Sequence, residues 1–247
     1  MRLRRPFTRV VEPPEPAGRL IITMLLGAVA LVAAPAAAAI VSGRSLSPLT
    51  WYLARSSGLT LYLMLWLATV TGLGLTTRLL DRFGGRGVIH SVHDFATQLA
   101  YGLLALHLLS LLVDPTVTYG PRELLKPFAT GWREPWTGLG VLAAEGFLVI
   151  GMSAGLRRWI GYPAWRWLHA LTPAVYVAAL LHGVFAGSDT REPWAQAIYG
   201  ATGAAVVLMA LYRALRGGNR EPRGNVPPAP PFDRLTRPRR HTSAMIV

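Results

Sequence analysis

The chain has 247 residues, of which 52% are hydrophobic and only 15% are charged, and its formal net charge is +13. Runs of about 20 apolar residues recur along it, as in membrane proteins with several spans. It contains no cysteine, which excludes disulfides, iron–sulfur clusters, thiolate-ligated or covalently attached haem and thiol catalysis. The basic residues lie at the ends of the apolar runs and in the tails, which indicates membrane orientation and not nucleic-acid binding as their cause.

The N-terminal segment consists of a polar tail and the first apolar run. Residues 1–19 are basic and rich in proline, and we expect them to be disordered. Residues 20–41 are apolar and long enough to form the first membrane helix. A cleaved signal peptide is a second interpretation, because the basic start precedes an apolar run that ends in the stretch APAAAA. Both interpretations leave residues 42–49 outside the cell.

Five further apolar runs follow, each long enough to cross a bilayer. They cover residues 50–76, 88–113, 136–156, 162–186 and 194–215. The sequence therefore predicts an all-α integral membrane protein built as a six-helix transmembrane bundle. Residues 216–247 are polar, basic and rich in proline, and we expect a disordered tail that is too short for a nucleotide-binding domain of about 100 residues.

The basic residues also predict how the spans are oriented. With the N-terminus inside, 19 of the 25 lysines and arginines fall on the cytoplasmic side. Because cytoplasmic loops carry an excess of these residues, we expect a multi-pass plasma membrane protein with both termini in the cytoplasm. The connection at 114–135 then lies outside the cell.

Two pairs of histidines lie within the third and fifth predicted spans. His93 and His107 are 14 residues apart, and His169 and His182 are 13 residues apart. At a rise of about 1.5 Å per residue, each pair sets its imidazoles about 20 Å apart, one near each membrane face. The two spans run in the same direction, so His93 lies at the depth of His169, and His107 at the depth of His182. Ionisable groups within spans are costly and are usually functional.

Imidazoles on facing helices can bind a metal centre from two sides. A planar iron macrocycle ligated from above and below fits this demand, so the sequence predicts two b-type haems held between the third and fifth spans. For each histidine alone, a hydrogen-bonded core residue is the competing interpretation. At about 100° per residue, a spacing of 14 leaves two side chains about 40° apart, whereas 13 leaves them about 140° apart. Pro173 is expected to kink the fifth span and relieve part of that difference.

Other polar residues of the spans have two interpretations each. Arg55 either extends to the membrane interface or pairs with a propionate of the outer haem, which makes it a candidate cofactor-binding residue. His90 is a rival inner ligand one turn before His93, and we interpret it as interfacial. Asp94 lies at the water boundary or tunes the inner site. Glu145 is either a protonated hydrogen-bonding residue or a proton carrier. Three glycines of the second span allow close approach of another helix or of a flat ring: Gly58, Gly72 and Gly74.

These residues resemble the ferric reductase-like transmembrane domain superfamily, which includes ferric reductases, NADPH oxidases and the haem-binding membrane subunit of the methionine sulfoxide reductase system. The resemblance covers about residues 50–215, and it rests on WYLARSSGLTLYL (51–63), on WRWLH (165–169) and on the spaced histidines. It implies that His93 and His169 ligate an inner haem iron, and that His107 and His182 ligate an outer one.

The resemblance also implies a role in electron transport. Without a fused flavin or NAD(P)H domain, the chain is similar to a membrane electron-transfer subunit that takes electrons from a separate cytoplasmic flavoprotein or membrane quinol. The donor would supply or share a flavin or quinone, and the acceptor would be external. Arginines in the cytoplasmic loops at 78–86 and 157–166 are expected to attract an acidic flavoprotein or anionic cofactor.

Two alternatives remain open. The first is the haem-binding subunit of a methionine sulfoxide reductase-type system, which passes electrons to an external oxidoreductase partner; that subunit commonly lacks a match to His93. The second is a haem-free transporter or scaffold, which would be colourless when purified. No catalytic residue is assigned, so the chain is expected to act as an oxidoreductase component and its own enzymatic activity stays open.

Overall fold

The computed structural model describes residues 17–42, 47–116 and 119–218. These residues form helices and no strand, which confirms the all-α prediction. The helices are α1 (Ala17–Ser42), α2 (Ser47–Thr77), α3 (Gly85–Leu112), α4 (Pro121–Leu125), α5 (Trp136–Ile160), α6 (Tyr162–His169), α7 (Thr172–Ala186) and α8 (Pro193–Gly218), with a short 3-10 helix at Asp81–Phe83.

Six helical segments of the described chain are long and apolar enough to cross a membrane, as in a multi-pass membrane protein. They correspond to the six predicted spans. α1 begins at Ala17 and α8 ends at Gly218, so the predicted tail boundaries at 19 and 216 were each wrong by about one helical turn. The rest of both tails lies outside the described residues.

Helix α2 is the centre of the bundle. It packs along α3 and also contacts α7 and α8, while α5 packs along α7. α1 packs mainly on α3, where Met24 lies over Gly102. The core joins these helices through buried aromatic and aliphatic side chains, among them Tyr62, Leu104 and Tyr176. Close packing of these side chains, and hydrogen bonds between helices such as that of Tyr62 with Tyr176, stabilise the arrangement of the helices.

Helices α3 and α7 lie across a gap in the bundle. Among the described residues, α3 makes at most isolated backbone contacts with α5, α6 and α7. At mid-depth the side chain of Tyr101 crosses from α3, and its ring stacks on Phe147 of α5 with centroids 4.6 Å apart. Its hydroxyl lies against the backbone of Gly151, in the space that a side chain at that residue would occupy. Side chains therefore join α3 to α5 at this level, while the backbones of the two helices stay apart.

The fifth predicted span is two helices, because it is interrupted at residues 170–171 between α6 and α7. Pro173 has no N–H to donate to the carbonyl oxygen of His169, and the Thr172 hydroxyl donates to that oxygen instead at 2.7 Å. The helix is thus interrupted just before Pro173, where the sequence predicted a kink. Because α6 and α7 are not one continuous helix, the ideal-helix angle between His169 and His182 does not apply.

The connection between α3 and α5 contains the short helix α4, which the sequence did not predict. Its first turn is capped by Glu123, whose Oε2 accepts the Gly120 N–H at 2.9 Å. Asp114 anchors the start of the connection, since its Oδ2 accepts a buried hydrogen bond from the Thr50 hydroxyl at 2.8 Å. The loop is thereby tied to the beginning of α2.

Candidate functional site: two histidine pairs

His93 of α3 and His169 of α6 lie together at one end of the bundle, which we call the inner end. Their ring centroids are 6.1 Å apart and the ring planes are inclined by 70°. An ion bonded to one nitrogen of each ring at about 2 Å would set the centroids about 6 Å apart. The two imidazoles therefore already have the separation that a shared metal requires.

The ring of His93 is fixed by the backbone of α2. Its Nδ1 lies 2.8 Å from the carbonyl oxygen of Ala68. A carbonyl can only accept, so Nδ1 carries the proton and Nε2 keeps its lone pair. A Cβ at Gly72 would lie 3.3 Å from the ring, so glycine allows the imidazole to lie close to α2. Histidines bound to metals are oriented in the same way, by a hydrogen bond from the ring nitrogen that does not bind the metal.

His169 is held by a ring contact. Its imidazole stacks on the indole of Trp165, one helical turn earlier, with centroids 5.1 Å apart and planes inclined by 25°. The guanidinium carbon of Arg157 lies 5.3 Å from the Trp165 ring centroid. Within the described structure, Nδ1 of His169 and Nε1 of Trp165 are buried with no hydrogen-bond partner. Buried polar atoms normally have a hydrogen-bond partner, so these two nitrogens lack an acceptor that a bound group would supply.

The second pair, His107 of α3 and His182 of α7, occupies the opposite, outer end. Nδ1 of His107 donates to the carbonyl oxygen of Ala54 at 2.8 Å, and Nδ1 of His182 donates to that of Trp136 at 3.0 Å. Both Nε2 atoms are thus left as acceptors.

Each outer ring also lies against a glycine. A Cβ at Gly58 would be 2.9 Å from the His107 ring, and one at Gly140 would be 2.5 Å from Nδ1 of His182. Gly58 and Gly72 had been predicted to allow close approach, and they do so for histidine rings. Gly74 was predicted with them, but it faces Leu80. Gly140 was not predicted, because its local sequence does not distinguish it from the other glycines of the spans.

The remaining predicted polar residues lie in separate places. Arg55 pairs with Asp189, with Nε 2.9 Å from Oδ2, and its guanidinium lies over Trp51 at 3.9 Å from the ring centroid. The sequence did not predict this carboxylate partner. The outer-haem propionate role of Arg55 stays a prediction.

His90 and Asp94 are exposed and contact each other, with Nδ1 to Oδ2 at 3.2 Å. This placement agrees with the interfacial interpretation of both residues. Glu145 is half-buried in α5, and none of the described residues pairs with its carboxylate. No described group of three or more His, Cys, Asp or Glu side chains is suited to a metal ion. A metal at either histidine pair would therefore need ligands beyond the described side chains, such as the four nitrogens of a macrocycle.

The donor set fits b-type haem. Three of the four imidazoles have Nδ1 committed to a backbone carbonyl, so Nε2 would be the atom that holds a haem iron. Glycines let the rings of His93, His107 and His182 lie close against neighbouring helices. No family model, curated protein or solved structure matches this chain, so the resemblance to the ferric reductase-like superfamily stays a prediction.

Proposed function

We propose that this protein is a transmembrane electron-transfer subunit that holds two b-type haems, one between His93 and His169 and one between His107 and His182. The single observation that carries the proposal is the 6.1 Å separation of the His93 and His169 rings across α3 and α6. Both imidazoles are half-buried, and Nδ1 of His169 has no hydrogen-bond partner among the described residues, which supports a bound group shared by the two rings. A haem bound there would supply one-electron oxidation and reduction at its iron.

The chain's own residues select the ligating atom. The carbonyl oxygens of Ala68, Ala54 and Trp136 each hold one Nδ1 proton, so Nε2 is directed away from the helix that supplies the carbonyl. A carbonyl acceptor on Nδ1 also raises the basicity of the ligating nitrogen. At His169 the stacked Trp165 restricts ring rotation instead. These contacts orient the rings before any ligand is bound, which lowers the entropic cost of binding it.

Between the two ends, the core is closed by aromatic residues. Tyr62 and Tyr176 are buried, their hydroxyl oxygens are 2.9 Å apart, and Tyr62 also hydrogen-bonds to Thr202. Tyr101 and Phe147 stack at a similar level of α3 and α5. A layer of satisfied hydroxyls and packed rings excludes water from this depth. It supports electron transfer over the haem-free transporter, which would need a polar path here.

The positive charge of the inner end supports the binding of an electron donor on that side. The inner end carries exposed arginines on the 3-10 segment, on α3 and on α5 and α6: Arg82, Arg86, Arg157, Arg158 and Arg166. Such a surface attracts an acidic flavoprotein or an anionic cofactor and accelerates its approach at low salt. We propose that a separate donor of this kind reduces the inner site, and that the acceptor meets the outer site.

The haem content of the purified full chain tests this function. We expect about two haems per chain by pyridine haemochrome assay, with a reduced-minus-oxidised spectrum of bis-imidazole type. His93→Ala and His107→Ala should each lower the content to about one, because each removes one axial ligand. His90→Ala is the matched control, since that exposed histidine faces Asp94 and should leave the content unchanged. A colourless wild-type protein would reject the proposal.

A further inference from the structure

A groove lies where α5 ends and α6 begins, apart from the four paired histidines. It has a volume of about 520 Å³ and is lined by Ala154, Gly155, Arg157, Arg158 and Tyr162. Pockets that bind small molecules have volumes of about 300–1,000 Å³, so the groove can hold a ligand group. A Cβ at Gly155 would meet nothing within 4 Å, so the floor of the groove is open at that residue.

The groove has a strong positive charge with no carboxylate to neutralise it. Among the described residues, Arg157 and Arg158 have no acidic partner. Each guanidinium lies beside an aromatic ring instead: Arg157 is 5.3 Å from the Trp165 centroid, and Arg158 is 5.5 Å from that of Trp159. Stacking on a ring restrains the guanidinium while its N–H groups stay free, and a guanidinium fork matches the oxygens of a phosphate.

The groove lies at the end of an apolar span. Its α5 residues fall in the last two turns of the span Trp136–Ile160, and two tryptophans of the same region are highly exposed: Trp159 is 75% and Trp167 is 79% exposed. Tryptophan and tyrosine are enriched at the level where headgroups meet the hydrocarbon. Arginine in the last helical turn is also favoured by the helix dipole, but that effect requires neither a groove nor two exposed indoles.

We propose that this groove binds the phosphate of an anionic phospholipid from the adjacent leaflet. Arg157 and Arg158 would pair with the phosphate oxygens, Tyr162 would contact the headgroup, and Ala154 and Gly155 would leave room for the glycerol. Basic pockets between transmembrane helices take anionic headgroups through this chemistry. None of these residues belongs to the histidine pairs, although Arg157 also lies beside the Trp165 ring that stacks on His169.

Native mass spectrometry of the full chain tests the site, with phosphatidylglycerol and phosphatidylcholine of identical acyl chains as probes. We expect selective retention of phosphatidylglycerol. Arg157→Gln combined with Arg158→Gln should weaken it about 30-fold, since each basic residue near an anionic lipid contributes about fivefold. Gly155→Leu should weaken it as well, by filling the groove without changing charge. The matched controls are Arg213→Gln and Gly200→Leu, two exposed positions of α8 that should retain the lipid as the wild type does.

Two results would overturn the proposal. Equal retention of phosphatidylglycerol by the wild type, the double arginine variant and Gly155→Leu would show that the groove is not the site. Equal retention of phosphatidylglycerol and phosphatidylcholine by the wild type, with inorganic phosphate bound only when both arginines are present, would show that the groove takes a soluble phosphate and not a lipid. Helical content by circular dichroism, measured on each variant, separates loss of the site from loss of the fold.

Discussion

The imidazole of His182 lies directly on the backbone of α5 at Gly140, where a Cβ would be 2.5 Å from Nδ1. One turn earlier on α5, the carbonyl oxygen of Trp136 accepts the Nδ1 proton at 3.0 Å. The same helix therefore both supports the ring and sets its tautomer. Any side chain at residue 140 would have to move the ring or break the hydrogen bond, because the two contacts allow only one ring position.

Gly140→Ala should release the outer haem and leave the inner one in place. The added methyl overlaps the ring of His182, so the ligand moves away from its partner His107. We expect the haem content to fall to about one per chain in the pyridine haemochrome assay. Gly200→Ala is the control, because a Cβ there meets nothing within 4 Å. An unchanged content in Gly140→Ala would contradict the proposed outer site.

Trp165→Leu should weaken the inner site selectively. Nδ1 of His169 has no hydrogen-bond partner among the described residues, and the indole stacked on the ring restricts its rotation. We expect the variant to lose the inner haem during purification, with the outer haem retained, as resolved by redox titration. Trp167 lies on the same helix and is 79% exposed, so Trp167→Leu is the control and should behave as the wild type. Identical titrations for the two variants would refute the role given to Trp165.

Pro173→Ala tests whether the break in the fifth span positions His169. The substitution restores an N–H that can donate to the His169 carbonyl, where the Thr172 hydroxyl now donates. A continuous helix would rotate His169 away from His93, so we expect a lower inner haem content. Pro163→Ala is the control, since Pro163 is in the first turn of α6, where a missing N–H costs little. Full haem content in Pro173→Ala would show that the proline is not required.

Arg55→Gln and Asp189→Asn should destabilise the protein by similar amounts. Their ion pair joins α2 to the loop before α8, and both side chains are about a quarter exposed. A solvent-screened pair of this kind contributes about 1 kcal/mol or less, so the thermal midpoint in detergent should fall by about 2–4 °C. The double variant should be no less stable than either single variant, because both remove one interaction. Additive losses would show that Arg55 and Asp189 act separately.

The orientation predicted from charge can be tested with introduced cysteines, because the chain has none. Ser188→Cys lies in the exposed loop after α7, and Arg82→Cys lies in the 3-10 segment after α2. We expect an impermeant maleimide to label Ser188→Cys in intact cells and Arg82→Cys only after lysis. The reverse pattern would place the termini outside. N-terminal sequencing of the same preparation would show whether residues 1–39 are removed as a signal peptide.

Sequence alone predicted the six long apolar helices and the spacing of the histidines along them. Both are local properties: an apolar run of sufficient length predicts a span, and the rise per residue converts a spacing of 14 or 13 into a depth. The interruption of the helix before Pro173 was predictable for the same reason, since the missing N–H belongs to the residue itself.

Only the tertiary structure decided which groups hold the histidines. The carbonyl of Ala54 reaches His107 from 53 residues away, and Asp189 reaches Arg55 from 134 residues away. Nothing in the local sequence distinguishes Gly140, beneath His182, from other glycines of the spans. These contacts depend on how far apart two helix axes lie and how each helix is rotated. Both quantities result from the packing of many side chains at once, which no local pattern of residues determines.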